Sequence, residues 1–200
     1  KTIVTTETIK TIAERNGVEM YDVYTGFKWI ANVMRENEGK KNYIGGGEES
    51  YGFLCEDFVR DKDAVSACVI LAEIAAWAKD QGLSLYQLLQ KIYVEYGFSK
   101  EKGISVVKKG KSGAEEIEAM MKKFRENPLT EIAGSKVTYF YDYSTLKGKD
   151  YAENETVTLD MPTTSNVLQY FTEDNTKVSI RPSGTEPKIK FYCEVHSKVK

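Results

Sequence analysis

The sequence predicts an α/β protein in two parts. Residues 1–104 read as a three-layer α/β unit with a mainly parallel sheet, and residues 105–200 as a small α+β unit with an antiparallel sheet. Three observations carry this. In the first half, short apolar runs (3–5, 18–24, 42–44) alternate with helical periodicities (7–16, 27–36), a β-α-β-α-β rhythm that favours parallel strands covered by helices. From Lys136 onward the period falls to two: Val137, Tyr139, Tyr141 and Tyr143, then Val157, Leu159 and Met161, then Ile189, Phe191, Cys193 and Val195. Between the halves, residues 99–112 hold five lysines among Ser and Gly and read as a solvated linker.

Each element has a local reason. Ile9, Ile12 and Ala13 share one face of the first helix, and Gly17 stops it. Thr25-Gly26 turns the chain into the second helix. The third strand runs into Gly45-Gly46-Gly47. Asp63 is a natural N-cap for a helix over 64–79, whose Val65, Val69, Leu71, Ala72, Ala75 and Trp77 cover so much of its circumference that burial is expected. Cys68 on that helix and Cys193 are expected to be core thiols. Ser84 and Gln87 have capping-box spacing for the next helix, which Gly97 ends. Ser112 and Glu115 repeat that spacing before a helix closed by Pro128, with Lys122, Lys123 and Arg125 in its last turns. A hairpin is predicted from 167–172 and 177–180 around Glu173-Asp174-Asn175.

Composition excludes several classes. A net charge of −2 argues against a general nucleic-acid binder. No apolar run approaches the ~18 residues of a membrane span. Three cysteines without CxxC spacing give neither a disulfide framework nor a zinc site, so a reducing, cytoplasmic setting is expected. The single histidine, His196, leaves little for a Ser-His-Asp triad or a histidine metal site and reads as a surface residue. Asp57, Asp61 and Asp63 match no calcium loop. Neither chain end looks like a natural terminus, so a piece of a longer protein is expected.

Two stretches carry chemistry. Arg181-Pro182-Ser183-Gly184-Thr185-Glu186-Pro187-Lys188 packs a guanidinium, two hydroxyls, a glycine and an ammonium between two strand-like runs. Arg offers a planar fork of donors, Lys a point charge, and Gly184 can turn backbone N–H groups inward, which together suit a phosphate. A tight hairpin turn with solvated charges is the competing reading. In Gly47-Glu48-Glu49-Ser50-Tyr51-Gly52, Glu48 and Ser50 stand two apart. In an extended run they point to one side and could grip vicinal sugar hydroxyls; a glycine-rich turn with solvated acids is the alternative. The stretch is neither a nucleophile elbow nor a Walker A loop.

These two stretches, with Thr25-Gly26-Phe27-Lys28 and Arg60-Asp61-Lys62-Asp63, stand in the order and approximate spacing of the α-D-phosphohexomutases. Essentially the whole chain resembles that superfamily, the phosphoglucomutases and phosphomannomutases. The resemblance implies a cytoplasmic isomerase of carbohydrate metabolism. It interconverts hexose 1-phosphate and hexose 6-phosphate through a hexose bisphosphate, using a phosphorylated serine and Mg2+. Family members have four domains, and this chain looks like the third and fourth, the fourth clipped at its C-terminus. Neither the T-x-S-H-x-P serine motif nor the Asp-x-Asp-x-Asp-Arg magnesium loop occurs in it. By motif, Glu48 and Ser50 would hold sugar hydroxyls, and Arg181, Ser183, Gly184, Thr185 and Lys188 the substrate phosphate. Thr25 and Gly26 would line the cleft, Lys62 would lie near the transferring phosphoryl group, and the magnesium ligands would lie outside the chain. Ala64 departs from the glycine that relatives often carry after Arg-Asp-Lys-Asp. The expected partners are hexose phosphates and the missing N-terminal domains of the same enzyme, with no nucleic acid and no membrane. These 200 residues are expected to be inactive alone. The alternatives are a non-catalytic sugar-phosphate-binding module and a purely structural scaffold. The sequence leaves glucose, mannose, pentose and amino-sugar preference open.

Overall fold

A computed structural model describes residues 1–184 and 186–199. It divides the chain into two compact units, Lys1–Phe98 and Ser99–Ser197. The first unit contains α1 (Glu7–Arg15), α2 (Phe27–Asn37), β1 (Gly45–Gly47), β2 (Phe53–Cys55), α3 (Ala64–Asp80) and α4 (Leu85–Tyr96). Thr6 caps α1 by accepting from the Thr8 N–H, and Gly17 leaves the helix at φ 67°. Ser84 and Gln87 form the expected reciprocal capping box on α4. The core lies under α2, whose Phe27, Ile30 and Met34 recur on one face and meet Val23 and Leu54.

This unit is α/β as expected, with a shorter sheet than the apolar runs suggest. Parallel pairing is confined to a bridge between Thr2 and Val23. Ile3 N donates to Val23 O (2.8 Å) and Val23 N to Lys1 O (3.0 Å). The chain then turns at once, with Thr5 N bonded to Thr2 O at 3.0 Å, so the pairing cannot extend. β1 and β2 instead form an antiparallel hairpin, Gly46 opposite Leu54.

The expected burial of α3 does not hold. Only Ala78 on it is buried, while Val65 is 73% and Trp77 54% exposed, and Cys68 is exposed rather than in a core. The helix is apolar around its whole circumference, but its packing neighbours β2 and α4 cover one side. Composition reports what a helix could bury, not how many neighbours it has.

The second unit contains β3 (Phe98–Val107), α5 (Gly110–Glu126), β4 (Glu131–Ile132), β5 (Ser135–Asp142), β6 (Lys147–Asp150), β7 (Glu155–Thr158), β8 (Leu168–Thr172), β9 (Lys177–Pro182) and β10 (Lys188–Ser197). The sheet runs β3-β10-β9-β8-β5-β6-β7, with β4 paired to β5. The stretch read as a linker is mostly β3. Its lysines suit a strand at the end of a sheet, where charge blunts an open edge. α5 starts at Gly110 with no side-chain cap, not at the Ser112–Glu115 pair. A Cβ at Gly113 would lie 2.4 Å from the Lys108 carbonyl oxygen, so this glycine lets the first helical turn close onto the preceding backbone.

Strand alternation then decides the core. Val137, Leu168, Tyr170, Ile180 and Ile189 face Ile117 and Met121 of α5. Tyr170 is fully buried, and its phenol donates to Phe124 O at 3.1 Å. Burial pushes that phenol up to about 12. Gln169 and Ser179, opposite each other in β8 and β9, are buried and bonded at 2.8 Å, and Tyr143 donates to Gln169 at 2.6 Å. Lys177 and Glu194, register partners in β9 and β10, form a buried ion pair of 3.1 Å. Slipping either strand by one residue would carry these groups from their polar partners into the apolar layer against α5, which favours the observed register.

Candidate functional site

In the first unit the β1–β2 connection, residues 48–52, is a tight loop rather than an extended run. Glu48 N donates to Gly52 O at 2.7 Å, and Tyr51 takes φ 68°, fully exposed. Glu48 and Ser50 therefore do not lie on one side of an extended strand, as expected from their spacing. Instead, Glu48 turns to the start of α2, where its Oε1 accepts from Gly26 N at 2.7 Å. Gly26 is the N-cap of α2 at φ 119°, a conformation that favours glycine, and contributes no capping side chain of its own. The carboxylate thus lies at the N-terminal end of α2, where the Gly26 N–H fixes its orientation.

Lys62 belongs to the same place. A Cβ at Gly52 would lie 3.0 Å from Glu48 Oε2 and 3.1 Å from Lys62 Cδ, so Gly52 is flanked by the carboxylate and the lysine stem. The Lys62 ammonium pairs with Asp61 at 3.1 Å and is exposed. Hydrogen bonds from Lys62 hold the Asp61 carboxyl below the usual range. Asp63 N donates to Phe53 O at 3.0 Å, fixing the Arg60–Asp63 run beside β2, and the Asp63 carboxylate caps α3 through Val65 and Ser66. Thr25 is half-buried just before Gly26, and Ser50 is exposed on the loop. The structure therefore groups Gly26, Glu48 and Lys62, with Thr25 adjacent in sequence and Ser50 at the rim. Gly46 has a packing role: a Cβ there would lie 2.5 Å from the Tyr43 hydroxyl and 3.0 Å from Ile30.

In the second unit, the loop between β9 and β10 carries the other candidates. Ser183 N donates to Lys188 O (2.8 Å), Lys188 N to Glu186 O (2.7 Å) and Lys108 N to Pro187 O (2.8 Å). These bonds make the loop a held feature, with both sides and the segment after β3 engaged. Arg181 is half-buried at the end of β9, and Ser183 half-buried beside it. Gly184 is exposed with open space where a Cβ would be. It is not among the left-handed glycines, so it offers open space and no unusual φ. Thr185 lies outside the described residues. The Lys188 ammonium pairs with the Glu186 carboxylate, whose pKa that hydrogen bond lowers. Lys188 would have to exchange this partner for an anion.

Sequence reasoning missed Lys190. It is the register partner of Arg181 across β9 and β10. Its ammonium stands 6.0 Å from the Tyr192 ring centroid, and its charge helps lower the Glu186 pKa, so a carboxylate already lies near it. The alternation of Lys188 and Lys190 after the loop was the available signal. Among the described residues, no three His, Cys, Asp or Glu side chains group as a metal site. Asp61 and Asp63 are committed to Lys62 and to the α3 cap, so the donor set does not fit magnesium. Nor is any helix among the described residues long and apolar enough to cross a membrane.

Comparison with known proteins matches both halves. The family model for phosphoglucomutase/phosphomannomutase, alpha/beta/alpha domain III, matches residues 1–96, and that for the C-terminal domain matches residues 104–200. The phosphoglucomutase of Staphylococcus aureus (strain bovine RF122 / ET3-1) is 40% identical over 195 residues, covering 98% of this chain and 35% of the relative. That of Staphylococcus haemolyticus (strain JCSC1435) is 37% identical over 196 residues, with the same coverage. The chain thus spans about a third of the length of these curated relatives. The open form of exocytosis-sensitive phosphoprotein pp63/parafusin, a phosphoglucomutase from Paramecium, has a TM-score of 0.65 at 18% identity over 98% of this chain and 32% of its own, a likeness of fold. The chain belongs to the phosphoglucomutase/phosphomannomutase family, of which it carries the alpha/beta/alpha domain III and the C-terminal domain.

Proposed function

We propose that these residues are the substrate-binding half of a phosphohexomutase that interconverts hexose 1-phosphate and hexose 6-phosphate through a hexose bisphosphate. The first unit grips the sugar and the second anchors the phosphate that is not reacting. The observation that carries this reading is the Glu48 carboxylate, oriented by Gly26 N at the head of α2 with Lys62 beside it. One carboxylate oxygen is committed to the backbone, which leaves Oε2 to accept from a sugar hydroxyl. Ser50 at the rim adds a hydroxyl that can donate or accept.

Arg181, Ser183 and the backbone at Gly184 bind the distal phosphate by charge and shape, and Lys190 adds to the field. A clamp that reads only phosphate tolerates either end of the sugar. This suits a reaction in which the bisphosphate must present both ends in turn. Thr25 and Gly26 line the cleft, Lys62 sits toward the transferring group, and Thr185 and Lys188 complete the clamp. Phosphoryl transfer depends on positioning and charge stabilisation, which these residues supply on the substrate side. Magnesium, held by residues outside this chain, would neutralise charge on the transferring phosphoryl group. The phosphoryl-donating serine would also lie outside it. The chain alone therefore binds substrate and does not turn it over.

Calorimetric titration of the chain with glucose 6-phosphate tests this. Saturable binding that weakens in Glu48→Gln and in Arg181→Ala is expected, with no mutase turnover when magnesium is added. No binding, or binding indifferent to both substitutions, contradicts the reading.

A further inference from the structure

The loop that carries Glu48 and Ser50 has a second acidic residue between them, and its carboxylate faces a different part of the chain. Glu49 Oε2 accepts from Thr2 Oγ1 at 3.0 Å and from Thr5 Oγ1 at 3.3 Å. The two hydroxyls are 2.9 Å apart, held there by the turn in which Thr5 N donates to Thr2 O. Thr2 is fully buried, Thr5 nearly so, and Glu49 half-buried. Both hydroxyls stand within donating distance of the same carboxylate oxygen and of each other, so either can serve as its donor. A hydrogen bond to a charged acceptor at a buried hydroxyl is stronger than its solvated counterpart.

Consecutive carboxylates are thereby tied to two different segments. Glu48 is tied to the head of α2 through Gly26, and Glu49 to the 2–5 turn. The loop otherwise rests on the Glu48 N–Gly52 O bond and contains a residue, Tyr51, at φ 68° with a fully exposed side chain. A non-glycine residue in that region costs free energy, which favours relaxation of the loop unless something holds it. Among the described residues, the loop's side-chain hydrogen bonds to other segments come from these two carboxylates.

We propose that Glu49 is a positioning residue. Its carboxylate, latched by the hydroxyls of Thr2 and Thr5, fixes the 48–52 loop and so aims Glu48 at α2 and at a sugar hydroxyl. The part concerning sugar rests on the reading of Glu48 given above; the latch itself does not. Glu49 does not touch the ligand.

The Gly26 amide reports the aim of Glu48 directly, because its N–H is donated to that carboxylate. In Glu49→Ala, amide hydrogen exchange at Gly26 and Glu48 should rise about tenfold, the loss of roughly one hydrogen bond to a charged group. Leu54 in the facing strand should keep its protection. Glucose 6-phosphate should bind about tenfold more weakly, whereas inorganic phosphate should bind as in the unsubstituted chain. Glu49→Gln, which keeps an acceptor for the hydroxyls, should restore both. Thr2→Val, close in shape and lacking the hydroxyl, should reproduce the alanine effect in part. Unchanged exchange at Gly26 in Glu49→Ala overturns the proposal. So does a rise shared equally by Leu54, since that marks general loosening of the unit. If the unsubstituted chain binds no glucose 6-phosphate, the sugar reading fails, and Gly26 exchange still decides the latch.

Discussion

At the scale of single residues, the same side-chain type does different work according to what it meets. Glu48 and Glu49 are adjacent carboxylates, yet one meets a helix N-terminus and the other two hydroxyls. No pattern in the sequence separates them, because both partners come from segments more than twenty residues away. Arg181 is a candidate from sequence because its donors sit in a short run with Ser183 and Gly184, and its binding role is a proposal. Arg181→Ala should cost about 1.5–3 kcal/mol of glucose 6-phosphate affinity, the value of one charged hydrogen-bonding group, read by calorimetry. Asp63 gives a pH prediction. Backbone and side-chain hydrogen bonds from Ser66 hold its carboxyl below the ordinary value. A lowered folded-state pKa means the capped helix is favoured above the unfolded value and loses that support as the pH falls through the folded one. Asp63→Asn should remove this part of the acid dependence of thermal melting while leaving the rest of the curve in place.

At the scale of elements, local signals were accurate where one residue decides and poor where neighbours decide. The capping box of α4 and the β8–β9 hairpin follow from local chemistry and are both present. Ser84→Ala should therefore cost about 1 kcal/mol in urea unfolding of the first unit. α5 starts ahead of the Ser112–Glu115 pair despite its capping spacing, because Gly113 closes the first turn onto Lys108. Gly113→Ala should destabilise the second unit by about 1–3 kcal/mol, since the clash is with backbone that cannot rotate away. The lysine-rich 99–112 run and the apolar α3 fail for a shared reason. Composition cannot say whether a strand has a partner on one side or a helix has neighbours on all sides. β3 has its place at the sheet's edge, and α3 leaves Val65 and Trp77 in solvent.

At the scale of the molecule, the α/β class was legible from the change of hydrophobic period. The candidate site was legible as motifs and not as geometry. The sequence order of Thr25-Gly26, Glu48, Lys62 and Arg181 is plain, but that Gly26 holds Glu48 at a helix head follows only from the fold. We propose that the first unit binds sugar hydroxyls and the second binds phosphate. Amide chemical-shift titration of the whole chain with glucose 6-phosphate, beside inorganic phosphate, tests it most directly. Glucose 6-phosphate should shift Gly26, Glu48 and Gly52 together with Ser183 and Gly184 along one saturation curve, and inorganic phosphate should shift Ser183 and Gly184 alone. Shifts from glucose 6-phosphate that leave Gly26 and Glu48 unmoved at saturation would contradict the claim.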